Sequence, residues 1–161
     1  FPYLQANVDH VITVDDSELT LSFLDMAENH KMIVENSGLL TVAALKHLDF
    51  KGKKVVSVLS GGNMDVLTMA TVVQNGLMQR DRIFTVSVML PDKPGQLAAV
   101  SSLIAKEQGN VIKLEHVNRT AGVELTITLE SFGTEHKDQI IKALEAAGYC
   151  PVITKTNGIY M

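Results

Sequence analysis

Ile83-Phe84-Thr85-Val86-Ser87-Val88-Met89-Leu90-Pro91-Asp92-Lys93-Pro94-Gly95-Gln96-Leu97 contains the change of period that decides the fold. From Ile83 to Leu90 the side chains alternate. Phe84, Val86, Val88 and Leu90 lie on one side and Ile83, Thr85, Ser87 and Met89 on the other, which predicts a strand. Pro91 to Gly95 reads as a turn, because its prolines and glycine interrupt either regular period. From Gln96 to Glu107 the apolar residues Leu97, Val100, Leu103 and Ile104 recur at helical spacing. Pro94 is placed where a first-turn proline is tolerated, and Gly95 lets the backbone approach a ligand with no Cβ in the way. The free N–H groups of the helix start can take a carboxylate. On its own, the motif reads equally well as an ordinary strand-to-helix turn.

Working outward, Gly109 is expected to stop this helix. Val111 to Val117 and Val123 to Leu129 read as strands joined by a turn around Asn118-Arg119-Thr120-Ala121-Gly122. Thr134 is expected to cap a second helix, running to about Ala147, with Ile140, Ile141 and Leu144 as its core face and Gly148 at its end. Pro151 to Thr154 supplies the last strand. The order βαββαβ predicts two helices packed on one face of a four-stranded antiparallel sheet, an α+β ferredoxin-like module.

Upstream, the charged run Gln79-Arg80-Asp81-Arg82 reads as a linker, placing one domain at 1–80 and another at 81–161. Val11-Ile12-Thr13-Val14 reads as a short strand. Asp15, Asp16 and Ser17 offer N-cap chemistry to a helix reaching about Asn29. Leu39 to Leu48 is so apolar that it predicts a helix buried on most sides. Val55-Val56-Ser57-Val58-Leu59 has the continuous apolar character of a buried parallel strand, followed by Ser60-Gly61-Gly62-Asn63 and a helix from Met64 to Met78. This α/β order is incomplete, because two strands cannot form a stable parallel sheet alone, and further strands are expected upstream. Phe1-Pro2-Tyr3 does not read as a natural start, which adds the expectation of a fragment or processed chain.

Composition narrows the function. The 161 residues are 46% hydrophobic, enough for a packed core. Aromatics make up 5% with no Trp, and the formal net charge is -4, so neither base stacking nor a phosphate-binding face is expected and no nucleic-acid partner is assigned. No apolar run reaches the length of a membrane-spanning helix, so no membrane partner is expected. Cys150 is the only cysteine, which excludes an intrachain disulfide, favours a cytoplasmic location and leaves no thiolate metal site. It is expected as a semi-buried small hydrophobe. His10, His30, His47, His116 and His136 lack ligand spacing and are read as solvated or hydrogen-bonded, so no metal is expected. Met64, Met69 and Met78 are read as packing residues.

The loop Leu90 to Leu97 resembles the first loop of the ACT family, with its Asp-x-Pro-Gly-x-Leu signature, and the resemblance runs from about Ile83 to Met161 in motif and element order. It implies a regulatory module that binds an amino acid at the interface between paired copies, or one that only assembles. By resemblance Asp92, Pro94, Gly95, Gln96 and Leu97 belong to the ligand loop. Asn110, Val111 and Ile112 match the start of the second strand, which faces the ligand across the interface.

Ser60-Gly61-Gly62-Asn63 is by itself a routine turn. With Val34-Glu35-Asn36-Ser37-Gly38 and the apolar helix before it, the segment is similar to the end of the catalytic domain of pyridoxal-phosphate-dependent threonine and serine dehydratases, of fold-type II. Leu39 and Leu40 depart from that family's pattern without disturbing Gly38. The resemblance implies that Ser60, with Gly61, Gly62 and Asn63, lines the cofactor pocket, and that Ser60 hydrogen-bonds the ring nitrogen. Glu35 lies near the same pocket, or is simply a helix-start acid favoured by the dipole. The family's Schiff-base lysine context and its run of glycines for phosphate do not occur in these 161 residues, so no catalytic residue is assigned and the chain alone is expected to be inactive.

Together the resemblances imply an α/β remnant of a catalytic domain followed by an ACT domain, the C-terminal and regulatory portion of a threonine ammonia-lyase. Its parent would turn L-threonine into 2-oxobutanoate and ammonia, in isoleucine biosynthesis. The implied partners are an amino-acid effector, isoleucine or valine, and further copies of the chain in a homo-oligomer. Two readings stay open beside it: a non-catalytic sensor or assembly module, and a serine dehydratase.

Overall fold

The computed structural model describes residues 1–119 and 122–156. The chain divides into two compact units, Phe1–Gly76 and Leu77–Met161.

The first unit is helical. Helix α1 spans Pro2–Asn7, with proline in its first turn; nothing in the apolar spacing of so short a segment had marked it. Helix α2 spans Asp16–Asp25 and continues as a wider π turn over Met26–His30. Its start is held where the Asp15 N–H donates to Glu18 Oε2 at 3.0 Å, the returning half of a capping box. Lys31, in the left-handed region at φ 57°, ends it. The apolar stretch after Glu35 is a chain of short pieces: a 3₁₀ turn Asn36–Leu39, helix α3 over Leu40–Ala43, and another 3₁₀ turn Ala44–His47. Helix α4 spans Val66–Gln79. Leu19, Phe23, Met26, Val34, Leu39, Ala43 and Val72 form the core, with Met64 and Met69 packed against it.

Three expectations fail here. Val11 to Val14 forms no strand, and neither does Val55 to Leu59, where Val56 is 89% and Val58 67% exposed. A strand is stabilised by its neighbours, and no described segment of this unit supplies a ladder partner. The Val55–Leu59 backbone is held instead by single contacts, such as Thr41 Oγ1 donating to the Val58 carbonyl at 2.9 Å. The helix expected over Leu39 to Leu48 buries one side only: Leu39 and Ala43 are fully buried, whereas Leu40 is 47% exposed.

The second unit is a closed α+β module. Strand β1 (Ile83–Leu90), helix α5 (Gln96–Lys106), strand β2 (Asn110–Arg119), strand β3 (Gly122–Glu130), helix α6 (Thr134–Ala146) and strand β4 (Val152–Thr154) follow in the expected order. The sheet order is β2-β3-β1-β4 and every neighbouring pair is antiparallel. Phe84, Val86, Val88 and Leu90 of β1 and Val123, Leu125, Ile127 and Leu129 of β3 make one apolar face. Val100 and Ile104 of α5 and Ile140 and Leu144 of α6, each pair four residues apart, cover it. The opposite face is polar, and Thr85 Oγ1 and Thr128 Oγ1 lie 3.0 Å apart across paired strands.

Several ends differ from expectation. Gln108, at φ 62°, takes the left-handed position that stops α5, and Gly109 follows it with its N–H bonded to the Ile104 carbonyl at 2.9 Å. Gly133 is the N-cap of α6, and Thr134 is its first residue. The Thr134 hydroxyl donates to Asp81 Oδ2 at 2.8 Å instead of capping. Cys150 is exposed. Thr120 and Ala121 of the expected turn, and residues 157–161 of the resemblance, lie outside the described residues.

The turn before β1 is tied to the α6 end of its own unit. Asp81 adopts a left-handed backbone at φ 53°. Its carboxylate accepts from Thr134 and lies 2.8 Å from Lys137 Nζ, and the Ser131 hydroxyl donates to its carbonyl. Burial works against the charge of Asp81, but the Lys137 and Thr134 hydrogen bonds and the lysine charge outweigh it and hold the carboxyl below its usual range.

Candidate functional site

The turn between β1 and α5 opens a cavity of about 210 Å³. Pro91, Asp92, Lys93, Gly95, Gln96 and Leu97 form its loop side. Leu90 at the end of β1, Val123 at the start of β3 and His116 near the end of β2 form the sheet side. The volume lies below the roughly 300–1,000 Å³ of drug-sized pockets, which suits a small ligand.

The loop has its shape for a local reason. Gly95 is the N-cap of α5 at φ 89°, a conformation that an L side chain strains to adopt. The first turn-closing bond of the helix runs from the Ala99 N–H to the Gly95 carbonyl at 3.0 Å. The N–H groups of Gln96, Leu97 and Ala98 therefore have no acceptor within the helix. Pro94 precedes the cap instead of sitting in the first turn, and it does not line the cavity.

Of the loop residues expected from the sequence, Asp92, Gly95, Gln96 and Leu97 meet in this cavity. Asn110, Val111 and Ile112 lie at the other end of the sheet. Asn110 pairs with Glu130 in register, and its Nδ2 donates to Glu130 Oε2 at 3.1 Å. The topology explains this separation: β1 and β2 both run antiparallel to β3, so the end of β1 is level with the end of β2. That is where His116 stands, a residue the sequence reading set aside for want of metal-ligand spacing. The usable signal was the βαβ crossover, which pairs the first loop with the end of the next strand.

Glu124 stiffens the sheet next to Val123. Its Oε1 accepts from the Ser87 hydroxyl at 2.7 Å and its Oε2 from Arg119 Nε at 2.8 Å. These bonds, Ser87 first, and the arginine charge hold the Glu124 carboxyl below its usual range.

The second candidate lies in the helical unit. Glu35, Gly38 and Ser60 to Asn63 come together there. The Glu35 N–H donates to the Gly61 carbonyl at 3.3 Å, and Glu35 Oε2 accepts from the Asn63 N–H at 3.0 Å. Ser37 Oγ donates to Glu35 Oε1 at 2.8 Å. A Cβ on Gly38 would stand 1.7 Å from the Ser60 carbonyl oxygen, so only glycine allows this approach. Glu35 is thus the brace of the loop. Residues 60–63 are exposed, which leaves the Ser60 hydroxyl at the surface of the unit. A hydroxyl on a braced glycine loop fits one edge of a pyridoxal ring, while the residues of a phosphate cradle are not among those gathered here.

Two further histidines have local partners. His47 Nε2 lies 2.9 Å from Glu18 Oε1. His136 Nδ1 accepts from the Phe132 N–H at 3.0 Å, and its Nε2 lies 2.6 Å from the Glu107 carbonyl. No cluster of three metal-ligating side chains occurs among the described residues, and none of their helices is long and apolar enough to cross a membrane.

The β1–α5 loop, nearly all of strands β1 to β3 and both helices fall within one stretch that matches a known family, over residues 84–148, with β4 just beyond it. These residues are an ACT domain. The likeness to other proteins extends well beyond the ACT domain. The L-threonine ammonia-lyase of Geobacter sulfurreducens is 36% identical over 163 residues, covering 96% of this chain and 40% of the relative. That of Thermotoga maritima is 32% identical, covering 92% of this chain and 39% of the relative. The L-threonine dehydratase biosynthetic IlvA of Staphylococcus aureus is 28% identical, covering 87% and 34%. The chain therefore spans well under half the length of these curated relatives. An ACT domain joined to a segment shared with threonine ammonia-lyases is the pattern of the C-terminal regulatory part of such an enzyme.

Proposed function

We propose that this chain is the C-terminal and regulatory portion of a threonine ammonia-lyase, and that its ACT cavity takes a feedback amino acid, isoleucine or valine. The observation that carries the reading is the cavity itself. It joins the unpaired amides that open α5, which suit a carboxylate, to Asp92, which suits an ammonium, and to the apolar Leu90, Leu97 and Val123. An α-amino acid with an aliphatic side chain presents that set of groups.

In this reading residues 1–80 end the catalytic domain and residues 81–161 form the regulatory one. The exposure of Val56 and Val58 supports the first part, since the strand they would form gains its neighbours from the remainder of the parent. Pyridoxal phosphate, when bound, supplies the electron sink for deaminating L-threonine to 2-oxobutanoate and ammonia. Ser60, Gly61, Gly62 and Asn63 would form one wall for it, with the Ser60 hydroxyl toward the ring nitrogen and Glu35 fixing the loop. The reactive lysine and the phosphate cradle belong to the remainder of the parent, and the chain alone is inactive. Chains associate through the ACT domain, for which the exposed outer strand β2 is available, and Asn110, Val111 and Ile112 then face the ligand of the neighbouring copy. The setting is cytoplasmic amino-acid metabolism.

A thermal-shift titration of the chain with a panel of amino acids tests the regulatory half. A ligand at about 100 times its Kd adds roughly 2.7 kcal/mol, a rise of several degrees at this size. A rise with isoleucine or valine, absent with lysine, is the expected result. No rise with any amino acid would reduce the ACT domain to an assembly element.

A further inference from the structure

We infer that His116 reads the carboxylate of the bound amino acid from the sheet side of the cavity. The inference rests on the amino-acid-binding reading above and adds to it a residue outside the ligand loop. The register places His116 opposite Leu125, and Leu125 opposite Val88. Val88 and Leu125 are fully buried on the face covered by the helices. One step earlier on β2 and on the same face, Leu114 continues the apolar row beside Ile127 and packs against the core. At the next position the row ends in an imidazole, exposed and on the wall of the cavity.

Three titratable side chains line the cavity: Asp92 and Lys93 from the loop and His116 from β2. Asp92 repels a carboxylate and attracts an ammonium, which orients the ligand. The carboxylate is thereby directed toward the α5 amides and the two basic side chains. Lys93 hangs on the turn by a long flexible stem, and its backbone N–H is spent on the Pro91 carbonyl at 2.9 Å. His116 is fixed by the strand, so less freedom is lost when its imidazole engages a ligand. The strand-borne histidine is therefore the specificity group, and Lys93 a general contributor of charge.

The test compares isoleucine with isoleucinamide, which differ only in replacing the carboxylate by a neutral amide, using calorimetric titration of the whole chain. Wild type is expected to prefer the acid. His116→Leu is expected to bind isoleucine about tenfold more weakly, about 1.4 kcal/mol, and to lose most of the preference over the amide, while His116→Lys restores it. His116 is exposed, so the thermal midpoints without ligand should match, and His116→Gln serves as a second variant. Lys93→Gln is expected to weaken both probes without abolishing the preference. Retention of the preference in His116→Leu, or its loss in Lys93→Gln instead, would overturn the inference. If wild type binds no member of the amino-acid panel, the underlying reading fails before His116 is in question.

Discussion

The two units are built from similarly apolar sequence and solve different problems. In the ACT domain every strand has a neighbour, and the twelve residues of its core close over one face of the sheet. In the helical unit the seven core residues join α2, the short turns and α4, while the apolar Val55–Leu59 segment joins no ladder and sends Leu59 against that core. The difference teaches that an apolar run records the environment for which it was selected, not the one a given length of chain supplies. Where an apolar run has partners among the described residues, the pattern becomes a ladder; where it has none, it joins no sheet and leaves side chains such as Val56 exposed.

The largest expected break in this contrast comes from Ile127→Ala in the ACT core. Ile127 is fully buried between both helices and the sheet, so truncation should cost about 2–5 kcal/mol in denaturant melts. Val56→Ser, on the corresponding apolar run of the helical unit, should change stability by no more than about 0.5 kcal/mol. A comparable loss at both sites would mean that Val56 is covered in solution. Next in size is Gly38→Ala. Its Cβ collides with the Ser60 carbonyl, and the overpacking should cost about 1–3 kcal/mol, accompanied by faster exchange of the Asn63 amide as the Glu35 brace loosens.

The smallest expected effect is on pH dependence. Asp81 and Glu124 in the ACT unit have folded values below their unfolded ones. Their contribution is complete above the unfolded carboxylate range, about pH 4, and is lost as pH falls through the folded values. Thermal midpoints measured downward from neutral pH should fall less steeply in an Asp81→Asn, Glu124→Gln double variant than in wild type. An unchanged slope would assign the acid sensitivity to the helical unit, where the Asp15 amide and His47 hold Glu18 low and the Thr68 hydroxyl and amide hold Asp65 low.

How much was legible in the sequence follows the same division. β1, α5 and the βαββαβ order were readable because each element's period agrees with the layer it packs on. Gln108 and Gly133 were not, because a left-handed stop and a cap depend on which residue the chain direction forces there, and glycine was present beside each alternative. Asp92, Gly95, Gln96 and Leu97 were readable as one loop by their adjacency. His116 was not, because its place in the cavity arises from the parallel relation of β1 and β2, a product of topology that local spacing does not contain. The brace formed by Glu35 was hidden for the same reason: its partner Asn63 is 28 residues away.

The exposed valines also bear on the handling of this chain. A stretch of β-branched residues with unpaired backbone is a template for adding strands from other molecules. Lys51, Lys53 and Lys54, all exposed, stand immediately before it and place three like charges at the mouth of any such stack. Neutralising all three should therefore make the chain precipitate faster with time and concentration, with no change in the fold of either unit.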